Sequence, residues 1–155
     1  MDQAGVRVLT RRRSKLPPVF DDFHTACGTC LDFLEKDHDF EALEPEVVGY
    51  ECSIAYRKPP NVVIDILYEP GGSPWIMVSA RLNADRPLAQ QYPLEKLAKS
   101  RIDNWVQPTV GNGPRDAEIK RVLDEYAVIL ADHFPDLLEA SDGIGDRLKQ
   151  PRQAD

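Results

Sequence analysis

The sequence predicts an α+β fold: an N-terminal helix, a three-stranded antiparallel meander and two C-terminal helices packed on the sheet. Two observations carry that expectation. Apolar residues recur at three- and four-residue steps on both sides of a central block, the spacing of helices with one buried stripe. Inside the block, three runs of strand-forming residues are joined by linkers too short for a parallel return, which needs a crossover of a dozen residues or more. The chain has 155 residues, within the range of one domain that buries a single core.

Residues 1–15 read as a flexible basic arm, with Val6 and Val8 alternating as a short edge strand would. Pro17-Pro18 punctuate the start of the first helix, and Asp21 and Asp22 suit the positive end of its dipole. Along it, Phe20, Phe23, Cys27, Cys30, Leu31 and Leu34 form one stripe, with Asp32, Glu35 and Lys36 largely opposite. Residues 37–47, "DHDFEALEPEV", read as a loop. Its carboxylates lack the D-x-[DN]-x-[DN]-G pattern of a calcium loop.

Three strands follow. "VGYECSIAY" alternates Tyr50, Cys52, Ile54 and Tyr56 against Glu51, Ser53 and Ala55, as a half-buried strand does. "NVVIDILYE" is nearly continuous in apolar residues, the pattern of a central strand covered on both faces except at Asp65. "PGGSP" makes a tight connection to "WIMVSARL". One sheet face is expected to pack on helices and the other to be partly open or used for binding.

Pro93 opens a helix with Leu94, Leu97, Ala98, Ile102 and Trp105 on one stripe, and "QPTVGNGP" breaks it. Gly111-Asn112-Gly113 has neither the preceding strand nor the following Lys-Ser/Thr of a phosphate loop. A turn with Asn112 as N-cap and Pro114 near N1 accounts for it. The last helix carries Ile119, Val122, Leu123, Tyr126, Ala127, Leu130 and Phe134 at helical spacing. Pro135 ends or kinks it, Leu137-Leu138 extend its apolar face, and residues 139–155 read as a flexible tail. The single α+β domain is thus expected at 16–138.

Composition narrows the functional classes. No window approaches the roughly 18 apolar residues of a membrane span. "SKLPPVFDD" follows Arg11–Arg13 where a signal peptide or twin-arginine leader needs an apolar region. Three cysteines are an odd, low number for a secreted domain of this size, so a reducing cytoplasm is expected. The net charge of −7 is uneven: residues 1–19 sum to +4, whereas residues 20–47 sum to −8, with nine carboxylates against Lys36. A field of that sign repels nucleic acid and attracts basic partners. Its plainer meaning is a solvated surface.

Candidate chemistry is sparse. Cys27 and Cys30 form a C-x-x-C with His24 one turn earlier, and Cys52 is a conceivable fourth zinc ligand. A redox C-x-x-C, however, follows a strand and opens a helix, where its first thiol is acidified. This pair lies two turns inside a helix, at positions where a small buried hydrophobe belongs. His24, His38 and His133 lie in different segments, and His133 suits the C-terminal end of its helix. Asp65 and Arg81 are placed to pair across the sheet, and Trp75 and Trp105 are expected in or beside the core. No catalytic residue, metal ligand or cofactor is assigned.

The acidic helix, the strand "VGYECSIAY", the hairpin pair and the closing helix "IKRVLDEYAVILADHFPDLL" together resemble the small acidic α+β immunity proteins of bacterial toxin–immunity systems, over residues 20–140. The resemblance implies a cytoplasmic, non-enzymatic protein that binds and blocks one toxin, with acidic residues facing a basic nuclease. Carried onto this chain, it points to Asp32, Glu35, Asp37, Asp39, Glu41 and Glu44 as the partner-binding surface. The partner would be a basic protein toxin, with no membrane involved, and the chain would act as a monomer or dimer. Two alternatives remain: an acidic secretion-chaperone-like protein, and a thiol- or zinc-dependent enzyme using His24, Cys27 and Cys30. Giving Arg11–Arg13 to nucleic acid ranks last.

Overall fold

The computed structural model describes residues 16–59, 62–82 and 90–139. The arm assigned to residues 1–15, and the tail beyond Glu139, lie outside the described residues. The fold is α+β: two N-terminal helices, an antiparallel sheet, and three further helices. After a 3-10 turn at Pro18–Phe20 come α1 (Asp21–Cys30), α2 (Asp32–His38), β1 (Glu41–Ala42), β2 (Glu46–Val48), β3 (Glu51–Lys58), β4 (Val62–Glu69), β5 (Trp75–Leu82) and β6 (Gln90–Pro93). They are followed by α3 (Leu94–Lys99), α4 (Arg115–His133) and α5 (Pro135–Glu139).

Among the described residues the sheet has six strands rather than three. Strands β3, β4 and β5 form the expected meander, flanked by β6 on one side and by β1 and β2, both on β3, on the other. The three additional strands are two to four residues long. They are held by ladder bonds to their neighbours rather than by an apolar stripe, so no alternation announces them.

Strands β1 and β2 act as one edge interrupted by a bulge. Glu41 and Ala42 face Arg57 and Tyr56, whereas Glu46, Val47 and Val48 face Ser53, Cys52 and Glu51. Three residues (Leu43, Glu44, Pro45) therefore oppose two on β3, and the Leu43 amide donates to the Ala55 carbonyl at 2.8 Å. The extra residue reverses the facing of everything after it. It turns Glu46 and Val48 to the face opposite the helices.

The core lies on one face of the sheet. Cys52, Ile54 and Tyr56 of β3, Val62, Ile64, Ile66 and Tyr68 of β4, and Ile76, Val78, Ala80 and Leu82 of β5 pack under the helices. Helix α1 lies along α4 and contributes Phe23, which stacks on Tyr68 with centroids 5.0 Å apart. The α4 stripe is as expected: Ile119, Val122, Leu123, Tyr126 and Leu130 are buried, and Phe134, Leu137 and Leu138 continue it.

Several elements end differently from the sequence reading. The first helix is broken at Leu31, whose ψ of 13° separates α1 from α2, and α2 runs on to His38, where Asp39 closes it in the left-handed conformation. The predicted helix from Pro93 stops at Lys99. Ile102 and Trp105 pack on the core from the turns beyond it. Pro114, not Asn112, is the N-cap of α4, with Arg115 the first helical residue. Pro135 breaks the closing helix, so three helices rather than two follow the sheet among the described residues, and Glu139 belongs to the last of these rather than to a tail.

Tyr50 is the largest single departure. Expected as an inward strand residue, it sits in the two-residue turn between Val48 and Glu51 and is 84% exposed. Gly49 precedes it at φ +62°, the glycine-first pattern of a tight hairpin turn.

Candidate protein-binding surface

The six predicted carboxylates all lie at or near the surface, spread from α2 to the bulge. Asp32 opens α2 and accepts a bond from Lys36 Nζ at 2.9 Å. Glu35 and Asp37 are exposed further along the helix, and Asp39 caps it. Glu41 lies on β1, where Arg57 Nη2 donates to its Oε1 at 2.9 Å. Glu44 stands exposed in the bulge. Two of the six thus have a cation partner among the described residues, in exposed pairs that are worth little. Glu35, Asp37, Asp39 and Glu44 form no salt bridge among the described residues, although the charge of Asp37 also acts on Lys36. Asp32 and Glu35 both act through the core on the Tyr56 hydroxyl, whose pKa is raised mainly by its burial and then by neighbouring charge.

The cysteines gather in the core. Cys27, Cys30 and Cys52 are free and buried, and His24 points outward from the same helix that buries Cys27 and Cys30. Burial pushes the Cys27 thiol well above its ordinary value, and the proximity of Cys52 and Cys30 adds to it. Cys30 is pushed up to about 12, by burial first and then by Asp124, and Cys52 to about 11 by burial. Such thiols stay protonated at neutral pH, whereas nucleophiles and metal ligands are thiolates. The C-x-x-C is a helix face. Among the described residues, no three His, Cys, Asp or Glu side chains gather as metal ligands would, and no helix is long and apolar enough to cross a membrane.

Other predicted residues take structural roles. Arg81 clasps Asp65 with two bonds, Nε to Oδ2 at 2.7 Å and Nη2 to Oδ1 at 3.2 Å. That bond raises the pKa of Arg81. The Gly111 amide donates to Glu118 Oε1 at 2.8 Å, so a carboxylate already occupies the place a phosphate would need. Trp75 is half-buried and donates from Nε1 to Glu69 at 2.7 Å. Trp105 packs on the core edge. The carbonyl of His133, at the end of α4, accepts from Arg101 at 2.8 Å.

The second face of the sheet is expected to be partly open, and part of it is. Ala55, Asp65 and Leu67 are half-buried there, Met77 is exposed, and Val63 and Ser79 are covered. Sequence reasoning did not foresee Val48 and Tyr50 beside that face. Their signal was Gly49 between two strand-forming runs, the mark of a two-residue hairpin.

No family model, curated protein or solved structure matches the chain.

Proposed function

We propose that this is a non-enzymatic binding protein that masks a basic protein partner, in the manner of an immunity protein bound to its toxin. The observation that carries the reading is the run of displayed carboxylates between Asp32 and Glu46. Glu35, Asp37, Asp39, Glu44 and Glu46 are exposed and form no salt bridge among the described residues, although Asp37 and Glu46 act at longer range on Lys36 and Arg81. Unneutralised charge on one stretch of surface accelerates encounter with an opposite charge and makes it salt-sensitive. The burial of all three thiols in the core, with His24 facing outward away from them, speaks against the thiol or zinc enzyme.

The test is capture of a partner from the native host at low salt, followed by binding kinetics with the purified partner. Neutralising Asp32, Glu35, Asp37 and Asp39 together should slow association about tenfold at low salt and flatten its salt dependence. Unchanged kinetics would sink this surface assignment.

The outer face of α4, where Ala117, Val128 and Ile129 lie among Lys120, Arg121, Asp124 and Glu125, is the observation behind a second reading as a chaperone for an extended apolar segment. Sedimentation separates the two, since a stable dimer supports the chaperone.

A further inference from the structure

Resting on the reading that the partner is a basic protein, we propose that it is gripped by the β2–β3 hairpin and the adjoining end of the open sheet face, with Tyr50 and Val48 as apolar anchors. Four of the seven large hydrophobic residues exposed among the described residues are Val47, Val48, Tyr50 and Met77. Val48 and Tyr50 lie in the hairpin and Met77 in the row that joins it across the sheet, whereas Val47, also in the hairpin, faces Cys52 on the helix side.

The register lays out the patch. Glu46 faces Ser53, which faces Leu67, which faces Met77; beside this row, Val48 faces Glu51, and Glu69 faces Trp75. Side chains opposed in this way share one sheet face. Four strands at about 4.8 Å spacing make it about 15 Å wide. The bulge turns Glu46 and Val48 onto this face. The two-residue turn holds Tyr50 at its tip with a fixed backbone. A bulky aromatic on a rigid loop loses little conformational freedom on binding, which is why such residues dominate interfaces.

Charge selects the occupant. Glu46, Glu51 and Glu69 rim the patch and form no salt bridge among the described residues, the charge of Glu46 reaching Arg81 only at longer range, and the Trp75 bond to Glu69 leaves its charge in place. Arg81, further along the face, is held by Asp65. A second copy of this chain would set three carboxylates against three, and nucleic acid or an anionic bilayer would meet the same sign. A protein with an apolar socket ringed by Lys or Arg meets both the anchors and the rim. The carboxylates of α2 then steer the encounter, and the hairpin holds the complex.

The experiment places a photo-crosslinker in the full-length protein in its native cells, at Tyr50→p-benzoylphenylalanine and separately at Asp37→p-benzoylphenylalanine. The partner captured is purified and its Kd measured against variants whose fold is checked by circular dichroism. Crosslinking from position 50, with Tyr50→Ala weakening the complex roughly 30-fold or more and Met77→Ala several-fold, is the expected result. Capture from position 37 alone, with Tyr50→Ala binding as the unaltered protein does, would overturn the hairpin assignment while leaving the acidic-masking function standing. Capture of a second copy of this chain would overturn the choice of occupant. Capture from neither position would end both proposals.

Discussion

Arg101 and Asp136 are joined by two near-parallel hydrogen bonds, Nη1 to Oδ1 at 3.0 Å and Nη2 to Oδ2 at 2.9 Å. The pair ties the turn after α3 to the start of α5. Arg101 also reaches the His133 carbonyl, and its guanidinium lies 4.6 Å from the centroid of the Phe134 ring. The side chains are only 13% and 19% exposed, so water screens them little. Removing one partner leaves the other partly buried and uncompensated. Arg101→Ala should therefore lower unfolding stability by about 3 kcal/mol in urea titration. A loss below about 0.5 kcal/mol would show that the pair is merely superficial.

The same pair predicts acid sensitivity. Burial alone would raise the Asp136 pKa, but the bonds and charge of Arg101 outweigh it and hold the carboxyl below its ordinary value. Asp124, bonded by Cys30 and Lys120, and Glu118, bonded by Arg121, are lowered too. A carboxylate with a depressed native pKa adds stability above its unfolded value of about 4, and that stability is lost as pH falls through the native value. Melting temperature should thus fall steeply below pH of about 4, and less steeply in Asp136→Asn. Identical profiles for the two proteins would remove Asp136 from the explanation.

Two glycines should respond with opposite signs. A Cβ built on Gly28 or Gly49 meets nothing within 4 Å, so crowding plays no part at either. Gly28 lies inside α1 with ordinary helical backbone, and Gly28→Ala should stabilise by about 0.5–1 kcal/mol. Gly49 has φ +62°, and Gly49→Ala should destabilise by about 1 kcal/mol or more through the backbone alone. Thermal melts of the two variants moving in the same direction would contradict the hairpin geometry.

Thiol labelling tests the core. At pH 8 all three cysteines should react slowly in the native protein and rapidly in urea, because all three are buried and burial raises each thiol pKa. One thiol reacting natively at the unfolded rate would reopen the question of chemistry at the C-x-x-C.

The aromatic stack at the centre of the sheet separates packing from polarity. Phe23→Ala should cost about 3–5 kcal/mol, the range for emptying a buried phenylalanine site. Tyr68→Phe keeps both ring contacts and removes only the 3.3 Å bond from Arg115, so it should cost about 1 kcal/mol or less. Equal losses would mean that the Arg115 bond matters as much to stability as the stack of Phe23 on Tyr68.

The α4 stripe, from Ile119 to Leu130, and the runs of β3, β4 and β5 were legible because each element buries one face and repeats its apolar residues at its own period. The acidic stretch was legible as charge, and its carboxylates do stand outward. Its dispersal from α2 through Glu41 to the bulge was not legible, because exposed residues follow no period. The edge strands β1, β2 and β6 left little mark for the same reason: they exist by bonding to neighbours distant in sequence.

Tyr50 marks the division. Its β-forming type and its place in the alternation put it inside, and Gly49, one residue earlier, was the local evidence against that. The places of the main helices and of β3, β4 and β5 followed from local pattern and turn chemistry in the chain itself. Which side chains meet on the open face was decided in three dimensions. A one-residue bulge and a tight turn set the register there, and register is a property of two strands, not of one.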